Sequence, residues 1–126
     1  MPIKPSRELV AQANAEIETL SAEQAKQLWE TGNVQLVDVR ERHEWDAGHV
    51  PGAVHVPRGS LEFLADPAIP PHKPELQAGK KLVLYCAAGG RSALAAKTLK
   101  DMGFTDLCHV AGGFGAWSQA GYPVER

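Results

Sequence analysis

Cys86 stands between an apolar run, KLVLY (81–85), and a small-residue stretch, AAGG (87–90), that leads into RSALAAKTLKDMG (91–103). The first run is short and fully apolar after its lysine, which reads as a buried strand; the second reads as a helix ended by Gly103. A helix starting near Arg91 directs its free amides, and the positive end of its dipole, back at Cys86. Gly89 and Gly90 let the chain curl so that successive N–H groups converge, which side chains there would hinder. A thiol inside such a ring of donors has its thiolate favoured. Arg91 adds a permanent charge and planar donors suited to an oxyanion. A bare strand-to-helix turn with an incidental thiol is the alternative, since cysteine often packs as a small hydrophobe. The conjunction of cysteine, two glycines, arginine and a helix start favours a nucleophilic sulfur in a cradle for negative charge.

Other reactive residue types carry less. His49 and His55 have no third partner at a metal-ligand spacing, so no metal site is expected. Cys108 lies within DLCHV, a strand candidate, and reads as a core residue. With two cysteines and no CxxC pair, neither a disulfide scaffold nor a dithiol redox site is indicated. Trp45, Phe104, Phe114 and Trp117 sit beside apolar neighbours and read as core packing rather than stacking platforms.

The elements that must position the cysteine alternate along the chain. SRELVAQANA (6–15) reads as a helix with Ser6 as N-cap, and EIETL (16–20) as a short strand. SAEQAKQLWETGN (21–33) opens with a capping pair, Ser21 and Gln24, and stops at Gly32. VQLVDV (34–39), AVHV (53–56), KLVLYC (81–86) and DLCHV (106–110) are strands, SLEFLAD (60–66) a turn or two of helix and GGFGAWSQAG (112–121) a final helix. The stretch RERHEWDAGHVPG (40–52) reads as loop, and PAIPPHKPELQAGK (67–80), with four prolines, as an irregular connection. Such an alternation with continuous apolar strands predicts a three-layer α/β/α domain on a mainly parallel sheet of about five strands. Ligands in such sheets gather at the carboxyl ends of strands, where Cys86 and the Asp38–Arg40 stretch both fall.

The 126 residues suffice for one domain. A net charge of −2 gives no basic face for nucleic acid or for a membrane surface, and no apolar run approaches the roughly 20 residues of a membrane span. With no signal-like N-terminus, a cytoplasmic protein is expected.

Three stretches in order resemble the rhodanese homology domain, the module of single-domain sulfurtransferases. CAAGGR (86–91) fits the pattern Cys-x-x-Gly-x-Arg; LVDVRERHEWDAGHVPGAVHVP (36–57) carries the Asp-x-Arg, Glu, Gly-His and Pro-Gly-Ala signature; GGFGAWSQAGYPV (112–124) resembles the Gly-Gly, Trp and Gly-x-Pro-Val ending. The resemblance covers residues 16–126 and leaves 1–15 as an N-terminal, helical extension. It implies that Cys86 attacks the outer sulfur of a donor such as thiosulfate or a persulfide and becomes a persulfide. The amides of Ala87, Ala88, Gly89, Gly90, Arg91 and Ser92 would hold the terminal sulfur, and a thiol, cyanide or a protein acceptor would remove it without a cofactor. Asp38, Arg40 and Glu44 would brace the facing loop, with Arg40 paired to Glu44. Positions 87 and 88 are alanines where several thiosulfate-using relatives carry a basic residue, and Arg58 could supply a second charge from the neighbouring loop. A binding or sulfur-relay module and a cysteine-dependent phosphatase or arsenate reductase are the alternatives. The latter spaces cysteine and arginine by five residues, against four here.

Overall fold

In the computed structural model, which describes residues 2–126, the five strands fall within the stretches the sequence marks as strands: β1 Glu18–Leu20, β2 Val34–Asp38, β3 Val54–His55, β4 Lys81–Tyr85 and β5 Leu107–Val110. They form one sheet in the order β1-β5-β4-β2-β3, with every neighbouring pair parallel. The helices are α1 Ser6–Glu16, α2 Ala22–Thr31, α3 Arg42–Ala47, α4 Leu61–Ala65, α5 Gly90–Met102 and α6 Gly113–Gln119, and a 3-10 turn, Arg58–Ser60, precedes α4.

Alternation along each strand divides the core in two. Leu82 and Leu84 of β4, with Val37 of β2 and Leu107 of β5, pack with Ile17, Ala95, Ala96 and Leu99 on the α1, α4 and α5 side. Val83 and Tyr85 of β4, with Leu36 and Cys108, pack with Ala25 and Trp117 on the α2 and α6 side. Both faces of β4 are therefore apolar, which is why its sequence is a continuous run rather than an alternating one. Truncating a buried leucine such as Leu84 to alanine costs about 2–5 kcal/mol in such cores.

Local signals set the helix ends. Ser21 accepts from the Gln24 amide at 3.1 Å while the Gln24 side chain accepts from the Ser21 amide at 2.9 Å, the reciprocal cap that the sequence predicts for α2. Two readings are corrected. Pro5, not Ser6, is the N-cap of α1, and its fixed φ of −69° sets the entry. Residues 42–47, read as loop, form α3; with no apolar stripe, this helix is held by Glu44, whose carboxylate accepts from the Glu41 amide at 2.9 Å. α1 docks on α5 with Ala13 fully buried, so the N-terminal extension is part of the packed layer rather than an appendage.

The crossover from β2 runs outward to β3, and that from β4 runs the other way to β5. Their carboxyl ends therefore flank a point where the winding reverses, the position at which open α/β sheets hold ligands. The loops that meet there begin at Val39 and Cys86.

Candidate active site

Cys86 follows directly on β4 and is 1 % exposed, its sulfur turned into the turn that starts α5. Its Sγ accepts from the Gly89 amide at 3.1 Å and from the Ser92 amide at 3.4 Å, and Ser92 Oγ lies at 3.6 Å. Gly89 makes this possible with a φ of +119°, a left-handed conformation open to glycine, which swings its N–H under the sulfur. Burial pushes the thiol's pKa up, but hydrogen bonds from the Ser92 hydroxyl and from the amides of Ser92, Gly89 and Ala88 outweigh it, and the net effect is downward. Neutral donors thus favour the thiolate form of this sulfur.

A second element grips the same loop. The amides of Phe114 and Gly115, in the first turn of α6, donate to the carbonyls of Cys86 at 2.7 Å and Ala87 at 3.1 Å. Gly113 sits against this backbone with a φ of +51°; a Cβ there would lie 2.2 Å from the Cys86 carbonyl oxygen. The Gly112-Gly113 pair is therefore a close-approach surface for the cysteine loop.

The Arg91 guanidinium is bound by Glu44 of α3. Its Nη1 and Nη2 donate to Glu44 Oε1 at 2.8 Å and Oε2 at 3.1 Å, a bidentate pair. The Arg91 guanidinium holds the Glu44 carboxyl down at about 2, and Glu44 in turn raises Arg91. This ion pair ties α3 to the start of α5 across the crevice.

The expected pairing of Arg40 with Glu44 is not formed. Asp38, fully buried two residues earlier, takes the Arg40 guanidinium instead: Arg40 Nε donates to Oδ1 at 3.0 Å, and Nη2 to Oδ2 at 2.7 Å. Asp38 Oδ1 also accepts from the Arg40 amide at 2.9 Å, capping the turn after β2 as the sequence predicts. Arg40 Nη2 donates to the Gly48 carbonyl at 2.7 Å, and the guanidinium lies 4.4 Å from the Phe114 ring centroid. A buried, fully hydrogen-bonded pair such as this holds its loop in one place, because breaking it would strand a charge.

Arg58 spends its guanidinium on Glu62 at 3.2 Å and Thr98 at 3.2 Å. Thr98 lies seven residues beyond Arg91, about 10 Å along α5 from the cradle. Cys108 is fully buried, and burial pushes its thiol up to about 12, so it stays protonated. Trp45, read as core, is half-buried and stacks between His49 at 3.5 Å and His55 at 5.0 Å. Those histidines support the loop: His49 Nδ1 meets the Trp45 carbonyl and His55 Nε2 the Arg40 carbonyl. Phe104 and Trp117 are core residues, as expected. Among the described residues no three His, Cys, Asp or Glu side chains converge as a metal set. No helix there is long and apolar enough to cross a membrane.

One participant escaped the sequence reading. His109, on β5 and 2 % exposed, places Nδ1 3.0 Å from Ser92 Oγ. Its Nε2 lies 2.6 Å from Asn14 Oδ1 on α1 and 3.3 Å from Thr19 Oγ1 on β1. The signal was present: in DLCHV, His109 shares the inward-facing parity of Leu107, so it projects toward α5 and α1.

Comparison with known proteins adds the following. The family model described as Rhodanese-like domain matches residues 21–120. YrkF of Bacillus subtilis, whose name marks it as a candidate sulfur carrier protein, is 34% identical over 68% of this chain and 42% of its own length. YqhL, an uncharacterised protein of the same organism, is 37% identical over 66% of this chain and 60% of its own length. The chain thus spans only about half the length of these curated relatives. A solved structure from Rhodopseudomonas palustris, of a protein of unknown function described as a possible tyrosine phosphatase, is 45% identical with a TM-score of 0.92 and covers 99% of both chains. The human single-domain sulfurtransferase TSTD1 is 30% identical with a TM-score of 0.69, covering 80% of this chain and 95% of its own.

Proposed function

This chain belongs to the rhodanese-like domain family, and on that premise we propose that it is a sulfurtransferase working through a Cys86 persulfide. The observation that carries the reading is the Cys86 sulfur under the Gly89 and Ser92 amides, in a loop with four residues between cysteine and arginine. In the first half-reaction the Cys86 thiolate attacks the outer sulfur of thiosulfate or of a persulfide. An S–S bond forms to Cys86, the donor's own bond to that sulfur breaks, and its electron pair leaves as sulfite or a thiolate. In the second half-reaction a thiol, cyanide or a protein acceptor attacks the outer sulfur and releases the Cys86 thiolate. The donors that favour the thiolate also favour the persulfide anion and Cys86 as leaving group.

The phosphatase alternative, suggested for the Rhodopseudomonas palustris protein, needs an arginine turned onto the oxyanion and a loop that encloses a tetrahedral phosphate. Here Arg91 is bound on both nitrogens by Glu44, and the loop is one residue shorter than that chemistry uses. The same features favour a donor without a large negative charge, so a persulfide is expected to serve better than thiosulfate. Steady-state kinetics with both donors and a thiol acceptor test the proposal: parallel double-reciprocal lines, the mark of two half-reactions, support it. Turnover of an aryl phosphate without any transfer of sulfur would refute it.

A further inference from the structure

Cys86, Ser92, His109 and Asn14 form one hydrogen-bonded line from a buried sulfur to the protein surface. Cys86, Ser92 and His109 are 1 %, 0 % and 2 % exposed, whereas Asn14 and Thr19, at the far end, are exposed. The direction of every hydrogen bond in this line follows from its last member. Asn14 Oδ1 can only accept, so at 2.6 Å the proton sits on His109 Nε2. Nδ1 is then an unprotonated acceptor, and the Ser92 hydroxyl donates to it at 3.0 Å in preference to the Gly89 carbonyl at 3.3 Å. The Ser92 oxygen lone pairs are left to face the Cys86 thiol at 3.6 Å. The line reads Cys86 S–H to Ser92 Oγ–H to His109 Nδ1, with His109 Nε2–H to Asn14.

We propose that His109, acting through the Ser92 hydroxyl, is the proton acceptor of the Cys86 thiol, and that Asn14 of α1 sets the tautomer that makes it one. Deprotonation moves the sulfur's proton to Ser92 Oγ while the Ser92 proton moves to His109 Nδ1. One S–H and one O–H bond break, one O–H and one N–H bond form, sulfur keeps the electron pair and the ring takes the positive charge. Nothing is oxidised or reduced. The imidazolium then carries a proton on each nitrogen, Nδ1–H toward Ser92 Oγ and Nε2–H toward Asn14 Oδ1. His109 touches neither the sulfur nor a substrate, so it is a positioning residue. The proposal deepens the sulfurtransferase reading, on which its role in turnover rests.

Among the described residues, the charged groups around this ring are paired elsewhere or exposed. On α1, Glu16 pairs with Lys97 and Lys100 of α5, and Arg7 and Glu8 are exposed. On α5, Arg91 pairs with Glu44 and Asp101 with Lys97. Glu18 of β1 pairs with Lys81 of β4, and Tyr85 of β4 projects to the opposite face of the sheet. Cys86 is the titratable group that the line connects to His109. Burial alone lowers the affinity of His109 for a proton, so an imidazolium there depends on the thiolate beyond Ser92.

The test is nitrogen-15 NMR of the His109 ring across neutral pH, on the reduced full chain and its Cys86→Ser variant, without any sulfur donor. The expected result is that His109 holds its second proton more tightly in the wild type than in Cys86→Ser, by about tenfold or more. A second arm follows iodoacetamide alkylation of Cys86 against pH in His109→Asn, whose amide oxygen still accepts from Ser92 but cannot take the proton. Its rate at neutral pH is expected to drop about tenfold and to recover as pH rises. An identical His109 titration in both proteins, or a His109→Asn profile that superimposes on the wild type, overturns the proposal. Neither arm uses sulfur transfer. A coupled titration without sulfur loading would refute the sulfurtransferase reading alone, and loading without coupling would refute this one alone.

Discussion

Gly113→Ala separates the cysteine loop from the rest of the fold. The added methyl carbon would lie 2.2 Å from the Cys86 carbonyl oxygen and 2.9 Å from the Ala87 carbonyl atoms, below the 3.0 Å that real Cβ atoms respect. What it meets is backbone, so no side chain can swing clear. The Cys86 carbonyl, or the first turn of α6, must retreat by roughly 1 Å, stretching the 2.7 Å bond from the Phe114 amide. A misplacement of about 1 Å in a catalytic geometry costs about 100-fold in rate. The left-handed backbone at position 113 and the steric strain together add a stability cost of about 2 kcal/mol. Gly121→Ala is the control, since Gly121 has a φ of +76° but a methyl added there would meet nothing within 4 Å. It should lose about 1 kcal/mol and no activity. Urea unfolding midpoints and sulfur-transfer rates on folded protein read the two effects apart. A folded Gly113→Ala protein that transfers sulfur within about threefold of wild type would refute the claim that α6 sets the position of the cysteine.

Three further outcomes are expected. Cys86→Ser should abolish sulfur transfer, while Cys108→Ser should keep most of it, because the Cys108 thiol is buried and stays protonated; equal losses in two folded variants would contradict a single-cysteine mechanism. Glu44→Gln should free Arg91 and lower KM for thiosulfate more than for a persulfide donor, which comparative kinetics would measure. The same substitution should cost about 1 kcal/mol at neutral pH. A carboxylate held down at about 2 stabilises the fold above its ordinary value near 4.5 and loses that contribution as pH falls toward 2. The gap in melting temperature between wild type and Glu44→Gln should therefore close over that acid window.

The centre of the sheet was legible because β4 is apolar on both faces and β2 and β5 are largely buried, all bounded by glycine, proline or charge, so their period and length left little choice. The cysteine loop was legible for a related reason: its chemistry is local, with the sulfur, the glycines and the helix start within seven residues. Features that depend on partners far apart were not legible. α3 has no apolar stripe, and among its stabilising contacts are Glu44 to the Glu41 amide, the stacking of Trp45 on His49 and His55, and Glu44 to Arg91, 47 residues away. The i,i+4 spacing suggested Arg40 to Glu44, but Arg40 turns back to Asp38, where burial and a second acceptor at Gly48 make the stronger site. Arg58 is next to the crevice in sequence order, yet Glu62 and Thr98 hold it along α5. The contact of His109 with Ser92 joins β5 to α5, and its contact with Asn14 brings in a helix that lies before the family pattern begins.

Intact and peptide mass spectrometry of the reduced protein, after incubation with thiosulfate or a small persulfide, tests the central claim most directly. The account predicts one added sulfur atom, carried by the Cys86 peptide and removed by cyanide. A folded protein with an alkylatable Cys86 that gains no sulfur from any donor would contradict it.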